Sequence, residues 1–576
     1  MSGTHRVRKG SLGMIAAVTM EATFTPGLRA ADPEWIARGQ SGMVATESYH
    51  ASQAGLEMLE HGGNAIDAAV AASFALAVTR PWHTGPGGGG FLIARFADGK
   101  VVVQDFRETA PAGARPELFL AAQVPGFPRS ELGYAAVAVP GVVAGRCQAM
   151  TQWGTLPLAR ALQPAIRLAK SGWPVDQPYV EATREVVQTY DKHPRLKQTC
   201  AYVWKTHLRQ GRLRETGEIL KQPELAHLLR GIADQGADFF YRGLVAEDFA
   251  KTMSQSGGQI TRADLASYSP KMREPLIAAY REYKLILMPP PSSGGVAIAQ
   301  ALNILAVLEH HSLVKRDPAL AAHYQIEALK HAFADRAALL GDPDFVDVPV
   351  ARLTSEAFGR SLAALIRPDS VGKIDRYGSV AVPDDSGTSH ICVADKFGNV
   401  VVTTETINTT FGSLAAIDEW GLILNNEMDD FTTDPGRPNA FGLIQSQANV
   451  IAPGKRPLSS MMPTIVLKDD RPYLLLGAAG GPRIISAVLH VLLGVVDGGL
   501  SLEEAVARPR IHHQWMPNEV YFDALPPPAD LAESLSKRGH KIGDRKKRAV
   551  LQAILRTDDG WLGASDPRGG GKPAGY

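Results

Sequence analysis

Cysteine is scarce in this chain of 576 residues: Cys147, Cys200 and Cys392 are too few and too scattered for a disulfide framework or a zinc site. Cys392 falls in a β-prone run, where a cysteine serves as a small apolar core residue rather than a reactive thiol. Net charge is nearly absent as well. Sixty basic against fifty-nine acidic residues give +1, so no broad field draws the chain to nucleic acid or to an anionic membrane. No apolar run reaches the length of a membrane span. The chain has no His-Glu-x-x-His, no Cys-x-x-Cys, no Gly-x-Ser-x-Gly and no phosphate-binding Gly-Lys-Ser/Thr, which removes the commonest zinc-hydrolase, thiol-redox, serine-hydrolase and nucleotide signatures.

Turn formers are plentiful. Fifty-six glycines and thirty-nine prolines, with 45% hydrophobic and 21% charged residues, fit a large globular enzyme with ample chain for a core. Ser52 to Val78 is Ala-rich with helical periodicity, Phe91 to Phe96 and Val101 to Phe106 read as strands, and much of Leu156 to Leu365 reads as helix. Strands return at Leu422 to Leu424, Thr464 to Leu467 and Tyr473 to Leu476. A helix from Pro482 to about Val496 is apolar nearly all round and should be buried. Strands covered by helices suggest layers in one composite domain.

The glycine-rich run Gly85 to Gly90 formally matches a dinucleotide fingerprint, but it follows a helix and precedes a strand, the reverse of the required order. It reads as close backbone packing. Gly480-Gly481 is different, because a strand precedes it and Pro482 suits the start of a helix. Backbone N–H groups at such a junction can hold an oxyanion; by itself the pair reads equally well as a tight turn. The histidine pairs His310-His311 and His512-His513 read as structural or surface residues.

Gly387-Thr388-Ser389-His390 lies between a loop-like run, Ser379 to Ser386, and the apolar run Ile391 to Ala394. A threonine hydroxyl placed after a glycine can attack the preceding carbonyl, cut the chain and free its own α-amine as a base. Ile391 to Ala394 and Val400 to Thr404 flank the turn-rich Asp395 to Asn399, which predicts a β-hairpin. That register sets Thr388 opposite Thr406 or Ile407, within ~5 Å across the ladder. Thr406 can then hydrogen-bond the nucleophile, and the Asn408 amide can donate or accept nearby. Alternation along the strand makes a base role for His390 unnecessary. Glu427 and Asp430 can share one side of a helical turn. They are open to reading as a solvated acidic loop or a hard-metal site, though no further ligands stand at a recognisable spacing.

These segments resemble the γ-glutamyltranspeptidases, or glutathione hydrolases. The resemblance runs from about Gly42 to the end. It rests on Gly62 to Ala69, Gly87 to Phe91, Asp105-Phe106-Arg107-Glu108, Pro291 to Gly295, Ala334-Asp335-Arg336, Thr388 to Asp395, Thr406 to Gly412, Asn425 to Phe431, Pro457 to Met461, Gly480-Gly481 and Gly563 to Arg568, in the family's order. It implies an α+β, four-layer αββα sandwich of the N-terminal-nucleophile type. It implies residues 1–41 as leader and extension, 42–387 as a large subunit and 388–576 as a small subunit starting with the catalytic Thr388, the two forming a heterodimer from one precursor.

By the same resemblance, Arg107, Ser459 and Ser460 bind the α-carboxylate of a γ-glutamyl group, Glu427 and Asp430 bind its ammonium, and Gly480 and Gly481 hold the oxyanion. Thr406 and Asn408 flank the nucleophile, no metal or organic cofactor is required, and water, an amino acid or a dipeptide accepts the acyl group. The chain departs from the family at Ala478-Ala479, at Phe441 in a lid-loop position and at the basic Arg545 to Arg548. A glutaryl or cephalosporin acylase is therefore the alternative activity, and a non-maturing binding protein a remoter one. Arg6, Arg8 and Lys9 before the short apolar run Leu12 to Met20, with Arg29-Ala30-Ala31 beyond, suggest export to a periplasm or outside; without a signal the protein is cytoplasmic.

Overall fold

Two β-prone segments joined by a tight turn form the centre of the molecule. Strands Gly387–Ala394 and Val400–Asn408 pair antiparallel, and every residue of both is buried. Asp395 builds the turn between them, its carboxylate accepting from the amides of Phe397 and Asn399 at 2.9 Å. The same carboxylate accepts at 2.9 Å from the amide of Ala65, the first residue of helix Ala65–Thr79. Asn64 caps that helix, accepting from Ile66 and Asp67 while Asp67 returns a bond to the Asn64 amide. Such a cap is worth about 1 kcal/mol, and here it also fixes the helix against the hairpin.

The computed structural model describes residues 32–120, 128–372, 387–432, 439, 446–523, 528–544 and 549–576. Phe441, the basic segment 545–548, the run 379–386 and the leader-like residues 1–31 lie outside the described residues. Glu34–Tyr576 form one unit built on two seven-stranded antiparallel sheets. The first runs in the order Ala574–Gly575, Met43–Thr46, Gly387–Ala394, Val400–Asn408, Gly89–Arg95, Val101–Asp105, Lys271–Arg273. The second runs Ile36–Gly39, Gly560–Ser565, Val550–Thr557, Arg471–Ala479, Thr464–Lys468, Tyr283–Leu287, Leu276–Tyr280. Each sheet therefore takes strands from both sides of the Gly387-Thr388 bond.

The sheets face each other, and the His390 ring fills the space above Gly477, where any added Cβ would overlap it. Helices Tyr49–Glu60 and Ala65–Thr79 cover the outside of the first sheet, and Gly294–Val307 and Arg483–Val496 cover the second. This is the expected αββα layering. Helices Ala65–Thr79 and Arg483–Val496 are buried along their whole length. Pro482 stands just before the second of these as its N-cap.

The region from Leu156 to Leu365 is mostly helical, but it also supplies the three strands between Lys271 and Leu287. Their exposed and charged positions, Ile277, Lys284 and the turn Arg281-Glu282, disguised a half-solvated edge hairpin. The run at Leu422 shrinks to a two-residue strand paired with Ala416–Ile417. Gly87, Gly88 and Gly90 pack against the backbone of Ile423, Thr406 and Thr404, where a side chain has no room.

Candidate active site

The hairpin register runs from Ala394 opposite Val400 to Ser389 opposite Glu405; one extra residue on the longer strand then brings Gly387 opposite Asn408. A bulge of this kind re-aims side chains. Here it brings Thr388 Oγ1 to 3.2 Å from Thr406 Oγ1 and 2.7 Å from the Gly387 carbonyl oxygen. Thr406 donates to that same carbonyl at 2.6 Å and accepts from the Asn408 amide at 2.7 Å. The hydroxyl that would attack and the group that polarises its target are thus both in place.

Gly387 stands opposite Asn408 at the head of its strand. What demands glycine is space: a Cβ would lie 2.6 Å from the carbonyl oxygen of Thr409 and 2.9 Å from that of Asn408. The left-handed residue is Asn408, at φ 79°, a conformation asparagine tolerates better than most side chains. Its side-chain amide donates to the Asn426 carbonyl at 3.1 Å rather than to Thr388. His390 is neutral, its pKa pushed down to about 3 by burial, and its Nδ1 lies 2.8 Å from Thr404 Oγ1. It has no part as a base. Cys392 is buried and its thiol is pushed well up by burial.

Strand Arg471–Ala479 ends at Gly480 and Gly481, whose φ values are 128° and 55°. Their carbonyls accept from Arg483 and Ile484 and close the first helical turn, while their amides donate to no backbone carbonyl among the described residues. Gly481 lines the same cleft as Thr388, with Gly480 one residue behind it. Unpaired amides at a helix start are suited to a developing oxyanion.

Arg107 follows strand Val101–Asp105 and is almost completely buried. Its guanidinium pairs with Glu427 at 2.7 Å, with Glu108 at 3.3 Å and, at short range, with Asp430. Glu427 and Asp430 belong to one 3₁₀ turn, Glu427–Asp430, so both face the arginine. Three carboxyls around one guanidinium leave an acidic excess. Burial pushes Glu108 up to about 7 and Glu427 well above the carboxylate range, with Arg107 opposing both shifts. Burial thus works against full ionisation of the cluster, and an incoming ammonium would work in its favour.

Arg107 stands among the carboxylates assigned to the ammonium, and its Nε donates to the Pro457 carbonyl at 3.3 Å, two residues before Ser459. The serine pair is tied down separately, Ser459 Oγ accepting from Met461 N at 3.1 Å and its carbonyl from Ser293. The cleft is lined by Thr388, Thr406, Asn408, Arg107, Glu427, Asp430, Ser459, Ser460 and Gly481. It thus gathers every residue expected of the site, with Gly480 adjoining. Arg336 lines it too. Sequence reasoning quoted Ala334-Asp335-Arg336 without giving the arginine a task, since one arginine in a long helix carries no signal of its own.

A threonine at the head of a central strand in an αββα sandwich, facing glycine amides across a cleft, defines an N-terminal-nucleophile hydrolase. The family described as gamma-glutamyltranspeptidase matches residues 51–576, and the chain belongs to it. It is 42% identical over 539 residues to the glutathione hydrolase proenzyme of Escherichia coli (strain K12), covering 92% of this chain and 91% of that one. The cephalosporin acylase of Bacillus halodurans has a similar structure, with a TM-score of 0.80 and 28% identity over 97% of this chain and 99% of that chain. The γ-glutamyltranspeptidase of Helicobacter pylori superposes with a TM-score of 0.56 at 39% identity, covering 59% of this chain and 96% of that one.

Proposed function

We propose that this chain is a proenzyme that cuts itself between Gly387 and Thr388 and then hydrolyses or transfers the γ-glutamyl group of glutathione and related amides. The observation that carries the reading is the Thr388, Thr406 and Gly387 triangle facing a buried acidic clamp. In maturation the Thr388 hydroxyl adds to the Gly387 carbonyl and its proton passes to the departing amide nitrogen of Thr388. The C–N bond breaks, giving an ester and a free α-amine, and water splits the ester into residues 1–387 and 388–576. The subunits stay together as a heterodimer.

In turnover the α-amine of Thr388 takes the hydroxyl proton, Oγ1 attacks the γ-amide carbon, and the amides of Gly480 and Gly481 hold the oxyanion. The proton goes to the leaving amine, cysteinylglycine in the case of glutathione. Water, an amino acid or a dipeptide then takes the acyl group. Export to a periplasm or beyond is part of the same proposal, testable by sequencing the N-terminus of protein recovered from fractionated cells.

The test is a denaturing gel and an anilide assay on one preparation. The 61.7 kDa chain divides into roughly 41 and 20 kDa in proportion to length. γ-Glutamyl anilide is turned over, and Thr388→Ala loses both cleavage and turnover. A single uncut band with full activity would refute the free-amine mechanism.

Similarity to a cephalosporin acylase makes a glutaryl substrate the second reading. Glutaryl lacks an ammonium and would leave Glu427 and Asp430 facing no new cation, a costly arrangement for buried carboxylates. The enzyme should prefer γ-glutamyl over glutaryl anilide by at least about tenfold, the range for one charged hydrogen bond. Equal rates would favour the acylase.

A further inference from the structure

Self-cleavage would take away the pairing that holds the head of the central strand. Gly387 stands opposite Asn408, the register passes over Thr388, and the next pair is Ser389 with Glu405. Once a chain begins at Thr388, Gly387 and its pairing belong to the other polypeptide. On the opposite side the ladder with strand Met43–Thr46 runs from Ala394 opposite Met43 only as far as Ile391 opposite Thr46. The nucleophile is then the free end of a chain, where order is lost first unless something ties it down.

One side-chain bond carries the tie further. Ser389 Oγ donates at short range to Glu47, the residue after Thr46, and both are buried, at 1% and 2% exposure. Glu405, opposite Ser389, is engaged instead by Arg146 and by Ser73 Oγ at 2.6 Å. His83 backs the Glu47 carboxylate, its Nδ1 lying 3.1 and 3.2 Å from the two oxygens, and Arg80 Nη2 donates to the Glu47 carbonyl at 2.6 Å. Burial pushes the Glu47 pKa up, but His83, Arg80 and Ser389 outweigh it and hold the group below its ordinary value. Ser389 therefore donates to a charged acceptor, a bond about twice as strong as a neutral one. His83 also braces the paired strand, its carbonyl accepting from the Ile407 amide at 3.1 Å, one residue beyond Thr406.

The geometry points to Glu47 and Ser389 as positioning residues for the nucleophile, a clamp across the subunit boundary that keeps Thr388 beside Thr406 after the chain is cut. Glu47 precedes the Gly387-Thr388 bond and Ser389 follows it, so their hydrogen bond survives cleavage. Neither residue lines the cleft. Successive side chains of a strand point to opposite faces, so the clamp acts on Thr388 through the backbone. In the precursor the covalent link to Gly387 holds Thr388 as well, and the clamp matters less there. The inference rests on Thr388 being freed as the nucleophile of the proposed reaction.

The test compares the rate of subunit formation, read on a denaturing gel, with kcat and KM of the fully cut enzyme on γ-glutamyl anilide. Ser389→Ala should lower kcat about tenfold to a hundredfold, the scale for a reacting group displaced by up to about 1 Å. KM should change little, because the groups that bind the substrate are untouched. Maturation should slow far less than turnover. Ser389→Thr keeps a hydroxyl and should recover most of kcat. Glu47→Gln keeps an acceptor without the charge and should fall between wild type and Ser389→Ala.

Wild-type kcat in Ser389→Ala would overturn the proposal. So would equal losses of maturation and turnover, or a loss that Ser389→Thr does not restore, either of which makes the pair a general support of the fold. A Ser389→Ala chain that stays uncut counts against it too, because the continuous chain is expected to hold Thr388 without the clamp. Wild-type enzyme that is cut but inactive on γ-glutamyl anilide is a different result, which removes the proposed function and this inference together.

Discussion

The hydroxyl of Thr406 donates to the carbonyl oxygen of Gly387 at 2.6 Å, so the bond proposed to break is already polarised by a neighbour on the paired strand. The same hydroxyl is 3.2 Å from Thr388 Oγ1 and can serve the nucleophile once the chain is cut. Thr406→Ala should therefore slow maturation by about 10²- to 10³-fold, the usual loss when one oxyanion donor is removed. Thr406→Ser should restore it. Densitometry of precursor against time reads both, and an alanine variant that matures at the wild-type rate would contradict the assignment.

Gly387→Ala tests close approach rather than backbone freedom. The new methyl would meet the Thr409 carbonyl oxygen at 2.6 Å and its carbon at 2.7 Å, and backbone cannot swing aside as a flexible side chain can. The two strands must part locally, which pulls the carbonyl off the Thr406 hydroxyl. Precursor should accumulate while the thermal unfolding midpoint of the uncut protein drops by about 1 °C for each kcal/mol lost, the scale for a chain of this size. Normal cleavage in Gly387→Ala would show that the gap can open freely.

The acidic clamp predicts a pH dependence confined to substrates that carry an ammonium. Glu108 has its pKa raised to about 7 by burial, and Glu427 is raised in the same direction. Above that value the Glu108 carboxyl is ionised and adds to the attraction for the ammonium; below it Glu108 is neutral and does not. KM for γ-glutamyl anilide should therefore rise as pH falls from about 8 to about 6, by up to roughly tenfold per unit below the pKa. Glutaryl anilide should show no such rise, because protonating the cluster only relieves repulsion of its carboxylate. A flat KM profile for the γ-glutamyl substrate would show that the empty cluster is already fully ionised.

Much of this was legible from residue types. The central hairpin announced itself through β-branched runs on either side of Asp395 to Asn399, and its register set Thr388 opposite Thr406 or Ile407. Gly480-Gly481 was readable because a strand, two glycines and a proline occur in an order that a helix start requires. The edge hairpin Leu276 to Leu287 was hidden because one face is wet, which breaks the apolar signal, and it is embedded among helices. The reason for glycine at 387 depends on Thr409 and the ion pairing of Arg107 on Glu427 and Asp430, contacts made by the folded chain. Arg336 is the clearest case: its contacts with Ser293 and Ser460 are made by the folded chain, and one arginine in a long helix has no pattern that announces them.

The alternation of strands across both sheets bears on what happens after denaturation. Met43–Thr46, from one side of the Gly387-Thr388 bond, lies between Ala574–Gly575 and Gly387–Ala394 from the other, and the Tyr576 carbonyl accepts from the Ser41 amide at 2.8 Å. The precursor threads this weave as one molecule, at a rate independent of dilution. Two severed polypeptides would have to find one another first, and neither could complete a sheet alone. Renaturation of cut enzyme should be second order in protein and poor at low concentration, so that the intact chain serves as a single-use template for its own assembly.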